Sequence, residues 1–145
     1  MDMTVRQQMK ELCSCLCRQD ELYATLARRH GMSFHTALTL YALDQDGGCT
    51  QKQIAENWMI PKQTVNTVVK DLERRGYVSL RAGRDQKEKL VDLTPAGRAF
   101  AAPCLREIYE LEDRAVDAMG QERFREMVEA NTAFTRAFAR EVRGA

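Results

Sequence analysis

The stretch "IPKQTVNTVVKDLERRGYVSLRAGRDQKEK", residues 60–89, decides how the rest of the sequence is interpreted. It contains eight Lys and Arg but only four Asp and Glu, which gives a local charge of +4. The whole chain of 145 residues carries +1, so the remainder is at −3. A nearly neutral protein has little bulk attraction for nucleic acid, and any such affinity must come from a local patch.

The first half of this stretch predicts a helix from Pro61 to about Arg75, closed by Gly76. Its apolar residues share the spacing of one helix face: Val65, Val68, Val69 and Leu72. If they face the core, the opposite face carries short hydrogen-bonding groups with a base at each end: Lys62, Gln63, Thr64, Asn66, Thr67 and Lys70. Such groups suit base edges in a DNA major groove and the phosphates beside them.

The second half alternates apolar and polar residues over 77–81 and 89–93, which predicts a β-hairpin. The bases near its tip, Arg81, Arg84 and Lys87, could reach an adjacent minor groove, and Asp85 is close enough to orient Lys87. Each feature has an alternative interpretation without nucleic acid. A charged helix face is often simply exposed to solvent, and lysines on a hairpin often protect the edge of a sheet from pairing with another strand. Because the two features are adjacent, they favour a nucleic-acid site formed by the helix together with Arg84, Asp85 and Lys87.

The flanking sequence predicts four helices, the hairpin and two further helices. Helical periodicity covers about 4–29 and 34–44, a capping box at 50–53 opens a short third helix, and Thr94-Pro95 opens the fifth. Gly120 separates the fifth helix from the last. The predicted fold class is therefore mainly α with a small β-wing: one domain over residues 1–145, with a winged helix-turn-helix lobe at 33–94.

Two segments, "TQKQIAENWMIPKQTVNTVVKDLERRGYV" at 50–78 and "GRDQKEKLVDLTPAG" at 83–97, resemble the MarR family of bacterial transcriptional regulators. The most specific element is the wing, where the family has Asp-x-Arg followed later by Leu-Thr. Here the triplet is Asp85-Gln86-Lys87, so Lys replaces the usual Arg. Since Lys is a compact, strongly hydrated charge, we expect Lys87 to contact phosphate and Arg84 to insert into the groove.

The resemblance implies a homodimeric repressor that binds double-stranded DNA and is released by a small molecule or an oxidant. Residues 1–30 and 95–145 would mainly be dimerisation helices, leaving one winged helix for each half-site of a pseudo-palindrome, roughly 10 bp apart. The residues themselves also favour a dimer. The first helix, and the last helix with Phe124, Phe134 and Phe138, have more apolar surface than a chain of this length is expected to bury within itself.

Two groups of residues are candidates for effector sensing. Members of the family that sense organic hydroperoxides use a cysteine in the first helix, which makes Cys13 and Cys17 redox candidates, although Cys is also a common small apolar filler. The aromatic and thioether side chains near the second helix could line a small-molecule cavity or form plain core: Phe34, Tyr41, Trp58 and Met59.

Other classes of function find little support in the sequence. The sequence contains no Gly-rich phosphate loop and no nucleophile elbow. We therefore expect that the protein is not an enzyme and that it binds no cofactor. His30 and His35 lack the tight spacing of metal ligands. Without an apolar run long enough for a membrane span, or a signal peptide, the expected location is the cytoplasm. The alternative function is a winged-helix module whose basic face docks an acidic protein, which would not require the row of amides and hydroxyls.

Overall fold

Six helices and a three-stranded sheet form the part of the chain that the computed structural model describes, residues 2–84 and 87–144. In chain order these are α1 (Val5–Arg29), α2 (Phe34–Asp46), β1 (Cys49–Thr50), α3 (Gln51–Trp58), α4 (Lys62–Arg74), β2 (Val78–Ala82), β3 (Lys89–Leu93), α5 (Pro95–Met119) and α6 (Gln121–Gly144). The predicted fold class, mainly α with a small β-wing, is confirmed.

Local hydrogen bonds explain where the helices of the lobe begin. The Thr50 hydroxyl accepts from the Gln53 backbone N–H at 3.1 Å, and the Gln53 side chain accepts from the Thr50 backbone N–H at 2.9 Å. This is the predicted capping box, which satisfies two backbone donors at the start of α3. Pro61 differs from the prediction by one position: it precedes α4 with an extended backbone, and the helix begins at Lys62.

The sheet has the strand order β1-β3-β2, with every pairing antiparallel. The predicted hairpin is β2 and β3, in which Val78 pairs with Leu93 and Leu80 with Val91. Strand β1 was not predicted; its Cys49 pairs with Val91 on the other side of β3. Two residues are too few to show the alternation that identifies a strand in sequence. The pairing makes β3 the central strand and ties the wing to the start of α3.

Thr94 and Gly97 join the wing to α5. The Thr94 backbone N–H donates to the Tyr77 carbonyl at 3.1 Å, and the Thr94 hydroxyl donates to the Gly76 carbonyl at 2.7 Å. The same hydroxyl accepts from the Gly97 N–H at 3.0 Å and so caps α5. A Cβ on Gly97 would lie 2.8 Å from the Tyr77 carbonyl carbon and overlap its oxygen. Only glycine permits this approach of helix to strand.

The core of the lobe lies around α2, which contacts α1, α3, α4 and β3. Leu40 of α2, Ile54 of α3, Leu72 of α4 and Val91 of β3 are all almost completely buried. Thr39 is buried as well, and its hydroxyl donates to the His35 carbonyl at 2.7 Å, so its polar group is satisfied within α2. Helix α2 is thus buried on several sides, and α4 packs on this core along one face.

The chain divides into two compact units, Met1–Ile108 and Tyr109–Ala145. The second unit contains the C-terminal part of α5 and all of α6. No side chain of α6 is buried over the residues described, 121–144. The interpretation of residues 1–145 as one domain stays a prediction. Across 2–84 and 87–144, none of the helices combines the length and the apolar character required to cross a membrane.

Candidate nucleic-acid interface

The apolar side chains on the inner face of α4 are buried in the core. Val65, Val69 and Leu72 are almost fully buried, and Val68 is close to it. These four side chains account for the amphipathic pattern of α4, and Ile54 and Ile60, which precede the helix in the chain, are buried as well. The predicted orientation of α4 is therefore confirmed, and its polar side chains are left on the outside.

The outer face of α4 presents all six of the polar residues singled out from the sequence. Lys62, Gln63, Thr67 and Lys70 are exposed, whereas Thr64 and Asn66 are half-buried. The Thr67 hydroxyl donates to the Gln63 carbonyl at 3.0 Å, which leaves its oxygen available as an acceptor. The surface therefore offers amide donors and acceptors between two lysines, and the contacts of these side chains with DNA stay predictions.

The start of α4 differs from the starts of the three helices before it. Thr4, Ser33 and Thr50 each accept a backbone N–H at the beginning of α1, α2 and α3, whereas Pro61 provides no side-chain cap for α4. The first backbone N–H groups of α4 consequently have no intrahelical or capping acceptor, and they carry the positive end of the helix dipole. Such a helix start can accept a phosphate oxygen next to Lys62.

The bases of residues 60–89 fall into two groups that the sequence did not separate. Arg74 and Arg75 both pair with Asp71, and Arg81 donates to Asp92 at 2.6 Å. Arg81 lies on β2 and is paired with Asp92 on the neighbouring strand, although its side chain is exposed; its reach into a minor groove stays a prediction. Among the residues described, five bases have no carboxylate within ion-pair distance: Lys62, Lys70, Arg84, Lys87 and Lys89.

The tip of the wing agrees with the prediction where the structure describes it. Arg84 and Lys87 are both exposed, one on each side of the turn between β2 and β3. Asp85, the third residue predicted there, lies outside the described residues, as does Gln86. The wing thus places two bases at the end of a ribbon, and their part in DNA binding stays a prediction.

A cavity of about 270 Å³ lies within the first unit, between α1, α2, α3 and α5. Its aromatic lining comprises Tyr23, Phe34, Tyr41 and Trp58. Three of these rings had been named from the sequence as candidates, whereas Met59 does not line the cavity and is 86% exposed. Asp20 also lines it and had been missed, because a single carboxylate on an amphipathic helix gives no local signal in the sequence.

The five thiols divide by position. Cys13, Cys15 and Cys17 on α1 are exposed, whereas Cys49 and Cys104 are buried. Burial raises the pKa of the Cys49 thiol, as do the nearby carboxylates Asp46 and Asp92. Burial likewise raises the pKa of the Cys104 thiol, with a further contribution from Glu107. The two buried thiols are thus kept protonated and weakly nucleophilic, whereas the three thiols of α1, which include the candidates Cys13 and Cys17, are accessible.

The histidines do not gather into a metal site. Over residues 2–84 and 87–144, no three His, Cys, Asp or Glu side chains come together as a metal ion requires. The ring of His30 lies near a carboxylate of α5, with its Nε2 at 3.7 Å from Oε2 of Glu107. His35 lies against the Phe34 ring, with 5.5 Å between the ring centroids.

Comparison with known proteins identifies relatives of the lobe. Residues 30–88 match the family model described as MarR family. An uncharacterised HTH-type transcriptional regulator of Bacillus subtilis, YwoH, is 44% identical over 55 residues. That alignment spans 38% of this chain and 40% of the length of the Bacillus protein.

Solved structures resemble the chain over nearly its whole length. NMB1585, a MarR family regulator from Neisseria meningitidis, has a TM-score of 0.81 and 26% identity, with 97% of each chain covered. The Staphylococcus aureus MarR in complex with salicylate and kanamycin has a TM-score of 0.73 over 94% of this chain and 93% of its own. At 16% identity, the second likeness shows the fold alone.

Proposed function

We propose that this chain, whose residues 30–88 match the MarR family model, is a transcriptional regulator of that family: a sequence-specific DNA-binding repressor that acts as a homodimer. The observation that carries the proposal is the orientation of α4. Its valines and leucine are buried, so its amides, hydroxyls and two lysines project from the lobe beside the wing. The alternative of a protein-docking module requires only charge on this face.

Helix α4 would enter a major groove with its polar face toward the base edges. Gln63 and Asn66 can each donate and accept at once, as an adenine edge requires, whereas Lys62 and Lys70 would contact the flanking phosphates. The uncapped start of α4 would add backbone N–H donors for a phosphate oxygen. This division of labour gives the helix both position along the duplex and sequence preference.

The wing would reach the neighbouring minor groove. Arg84 would insert, because a guanidinium is weakly hydrated and fits the narrow groove, and Lys87 would contact phosphate. Arg81 would take no direct part, since Asp92 already holds its guanidinium at 2.6 Å. The role assigned to Asp85, which is to orient Lys87, belongs to the same proposal.

A second copy of the chain would cover the apolar faces of the terminal helices. On α6, Phe134 and Phe138 stack with 5.6 Å between ring centroids, yet they are 38% and 58% exposed. On α1, Val5 and Leu22 are also largely exposed. Apolar surface of this kind favours association in water. A dimer would present two lobes to two half-sites of a pseudo-palindrome, with centres about 10 bp apart.

Release from DNA would follow from binding in the cavity or from oxidation of the first helix. The cavity borders α1, α2, α3 and α5, so a ligand there would contact both the lobe and the helices next to it. The oxidant route would use Cys13 or Cys17, which are exposed. Peroxide should then abolish operator binding by the wild type but not by the Cys13→Ser or Cys17→Ser variant. Unchanged binding by all three proteins would remove this route.

Selection of bound duplexes from a random pool tests the main proposal. We expect the selected sequences to contain two inverted half-sites, and to bind about 1,000-fold tighter than scrambled duplexes of the same length. Titration at increasing salt separates the two components, because phosphate contacts weaken with salt to the same extent on every sequence.

Equal binding to selected and scrambled duplexes at every salt concentration would overturn the proposal. That result would leave a basic surface without sequence preference, and the docking of an acidic protein would then be the better account of the exposed lysines. If the selected duplexes contain only one half-site and the protein is monomeric in solution, the proposed DNA binding would stand but the proposed homodimer would be rejected.

A further inference from the structure

We infer that the cavity of the first unit binds a hydrophobic cation, such as a quaternary ammonium or a protonated amine that carries an aromatic group. The inference deepens the proposed function by naming the chemical class of the effector, and it rests on that function only for the consequence that binding has for DNA. The binding itself follows from the size, the rings and the charge of the cavity.

The size of the cavity fits a small organic molecule. At about 270 Å³ it is near the lower limit of ligand pockets, which are roughly 300–1,000 Å³. Most of the lining is apolar, including Leu38 and Ile108 besides the four rings. A ligand must therefore bury mainly hydrocarbon surface, which excludes sugars, nucleotides and other strongly hydrated molecules.

The aromatic rings make the cavity suitable for positive charge. Tyr23, Phe34, Tyr41 and Trp58 all line it. Tyr41 and Trp58 meet edge to face, with 5.4 Å between ring centroids and 74° between their planes. The faces of aromatic rings are the negative part of their quadrupole and attract cations, with Trp the strongest. Several rings around one small volume are the arrangement that recognises quaternary ammonium groups.

The charge of the lining selects a cation over an anion. Asp20 is the charged residue among those described as lining the cavity, and none of them is Lys, Arg or His. Within residues 2–84 and 87–144, the Asp20 carboxylate has no ion pair. A bound cation would give it a counter-ion. An aromatic acid would instead place a second negative charge beside it with no base to compensate.

The sequence contains one tryptophan, Trp58, so intrinsic fluorescence reports directly on the cavity. The probe is benzyltrimethylammonium, titrated against the wild-type protein without DNA. Its neutral counterpart is neopentylbenzene, in which a carbon replaces the nitrogen and the shape is retained. Phenylacetate serves as the anionic probe. We expect the cation to bind about tenfold tighter than the neutral molecule, and phenylacetate to bind weakest.

Asp20→Asn tests the role of the carboxylate, with Glu11→Gln as its matched control. Both residues are exposed acids on α1, and both changes remove one negative charge. Glu11 lies nine residues earlier, on the opposite side of the helix at 100° per residue. The preference for the cation over neopentylbenzene should persist in Glu11→Gln and fall severalfold in Asp20→Asn.

Three results would overturn the inference: equal binding of the cation and its neutral counterpart to the wild type, tighter binding of phenylacetate, and no binding of any probe. The wild-type comparison holds even if a variant fails to fold. A preference that survives in folded Asp20→Asn would overturn the assignment to that carboxylate. Failure to bind selected duplexes, with the cation preference intact, would reject the DNA function and leave the cavity assignment standing.

Discussion

The lobe at residues 33–94 and helix α6 are both amphipathic, yet they differ in what covers their apolar side chains. In the lobe, Leu40, Val65 and Val91 are completely buried among neighbouring elements of the same unit. In α6, no side chain is buried over 121–144, and Phe138 remains 58% exposed. The lobe therefore supplies its own core, whereas the apolar side chains of α6 stay largely uncovered.

This difference shows what an apolar stripe does and does not specify. The spacing of the stripe identifies a helix and the face that avoids water, but not the partner that will cover it. For α4 the partner is the adjacent helix-turn-helix core. For α6 we propose a second copy of the chain, so the stability of the two regions should respond differently to mutation and to protein concentration.

Gly97→Ala should have the largest effect and should act on the lobe alone. Its new Cβ would overlap the Tyr77 carbonyl at the base of the wing, where backbone on both sides leaves no room to adjust. We expect a loss of about 3 kcal/mol or more in the free energy of unfolding, at every protein concentration. Urea denaturation measures it. Gly144→Ala is the control, because among the described residues nothing beyond its own stretch of α6 lies within 4 Å of its Cβ position.

Phe138→Asp should have the next largest effect and should depend on concentration. Placing a charge on the exposed apolar face of α6 should weaken self-association by roughly 2 kcal/mol or more, about 30-fold in the dissociation constant. Analytical ultracentrifugation measures the change. Ala133→Asp adds the same charge 140° away around the helix and should leave association intact. If both variants weaken self-association equally, or if the wild-type protein is a monomer, the proposal that a second copy covers the apolar face of α6 would be contradicted.

Asn66→Ala and Gln63→Ala test the proposed base contacts of α4 without touching its core. Each should reduce discrimination at one position of the selected duplex by about 1–3 kcal/mol, whereas Lys87→Ala should weaken binding to all duplexes alike. The Lys87 variant should also lower the slope of log affinity against log salt by about 1. Equal losses on every duplex for all three variants would contradict the assignment of the α4 face.

Thiol labelling compares the exposed cysteines of α1 with the two buried cysteines and requires no mutation, so it perturbs the protein least. Iodoacetamide should modify Cys13, Cys15 and Cys17 in the native protein and spare Cys49 and Cys104. The raised pKa of each buried thiol lowers its thiolate fraction at neutral pH, and this protection should weaken only as the pH rises toward the raised pKa. Mass spectrometry identifies the modified sites. Labelling of Cys49 as fast as Cys13 in folded protein would contradict the burial of the lobe.

Features encoded by neighbouring residues could be predicted from the sequence. The capping box of Thr50 and Gln53, the left-handed Gly76 and the Thr94-Pro95 start of α5 each depend on a few adjacent positions, and all three are present. The exposed face of α4 followed from its helical period alone. These parts of the candidate site needed no knowledge of distant contacts.

Features that depend on residues far apart in the chain were missed. The pairing of Cys49 with Val91 joins residues 42 positions apart, and the ion pair of Arg81 with Asp92 depends on the register of two strands. For the cavity, the sequence identified only aromatic side chains that could line it, without showing that they enclose a common space. Its Asp20 could not be singled out, since nothing near it in sequence indicates which helices will surround it.

The close approach of Gly97 to Tyr77 has a mechanical consequence. Thr94 hydrogen-bonds to the backbone of Gly76, Tyr77 and Gly97, so three hydrogen bonds tie the first turn of α5 to the root of the wing. A change in the direction of that turn would shift the wing with it, so in the proposed dimer the spacing of the two wings along a duplex would depend on the orientation of α5.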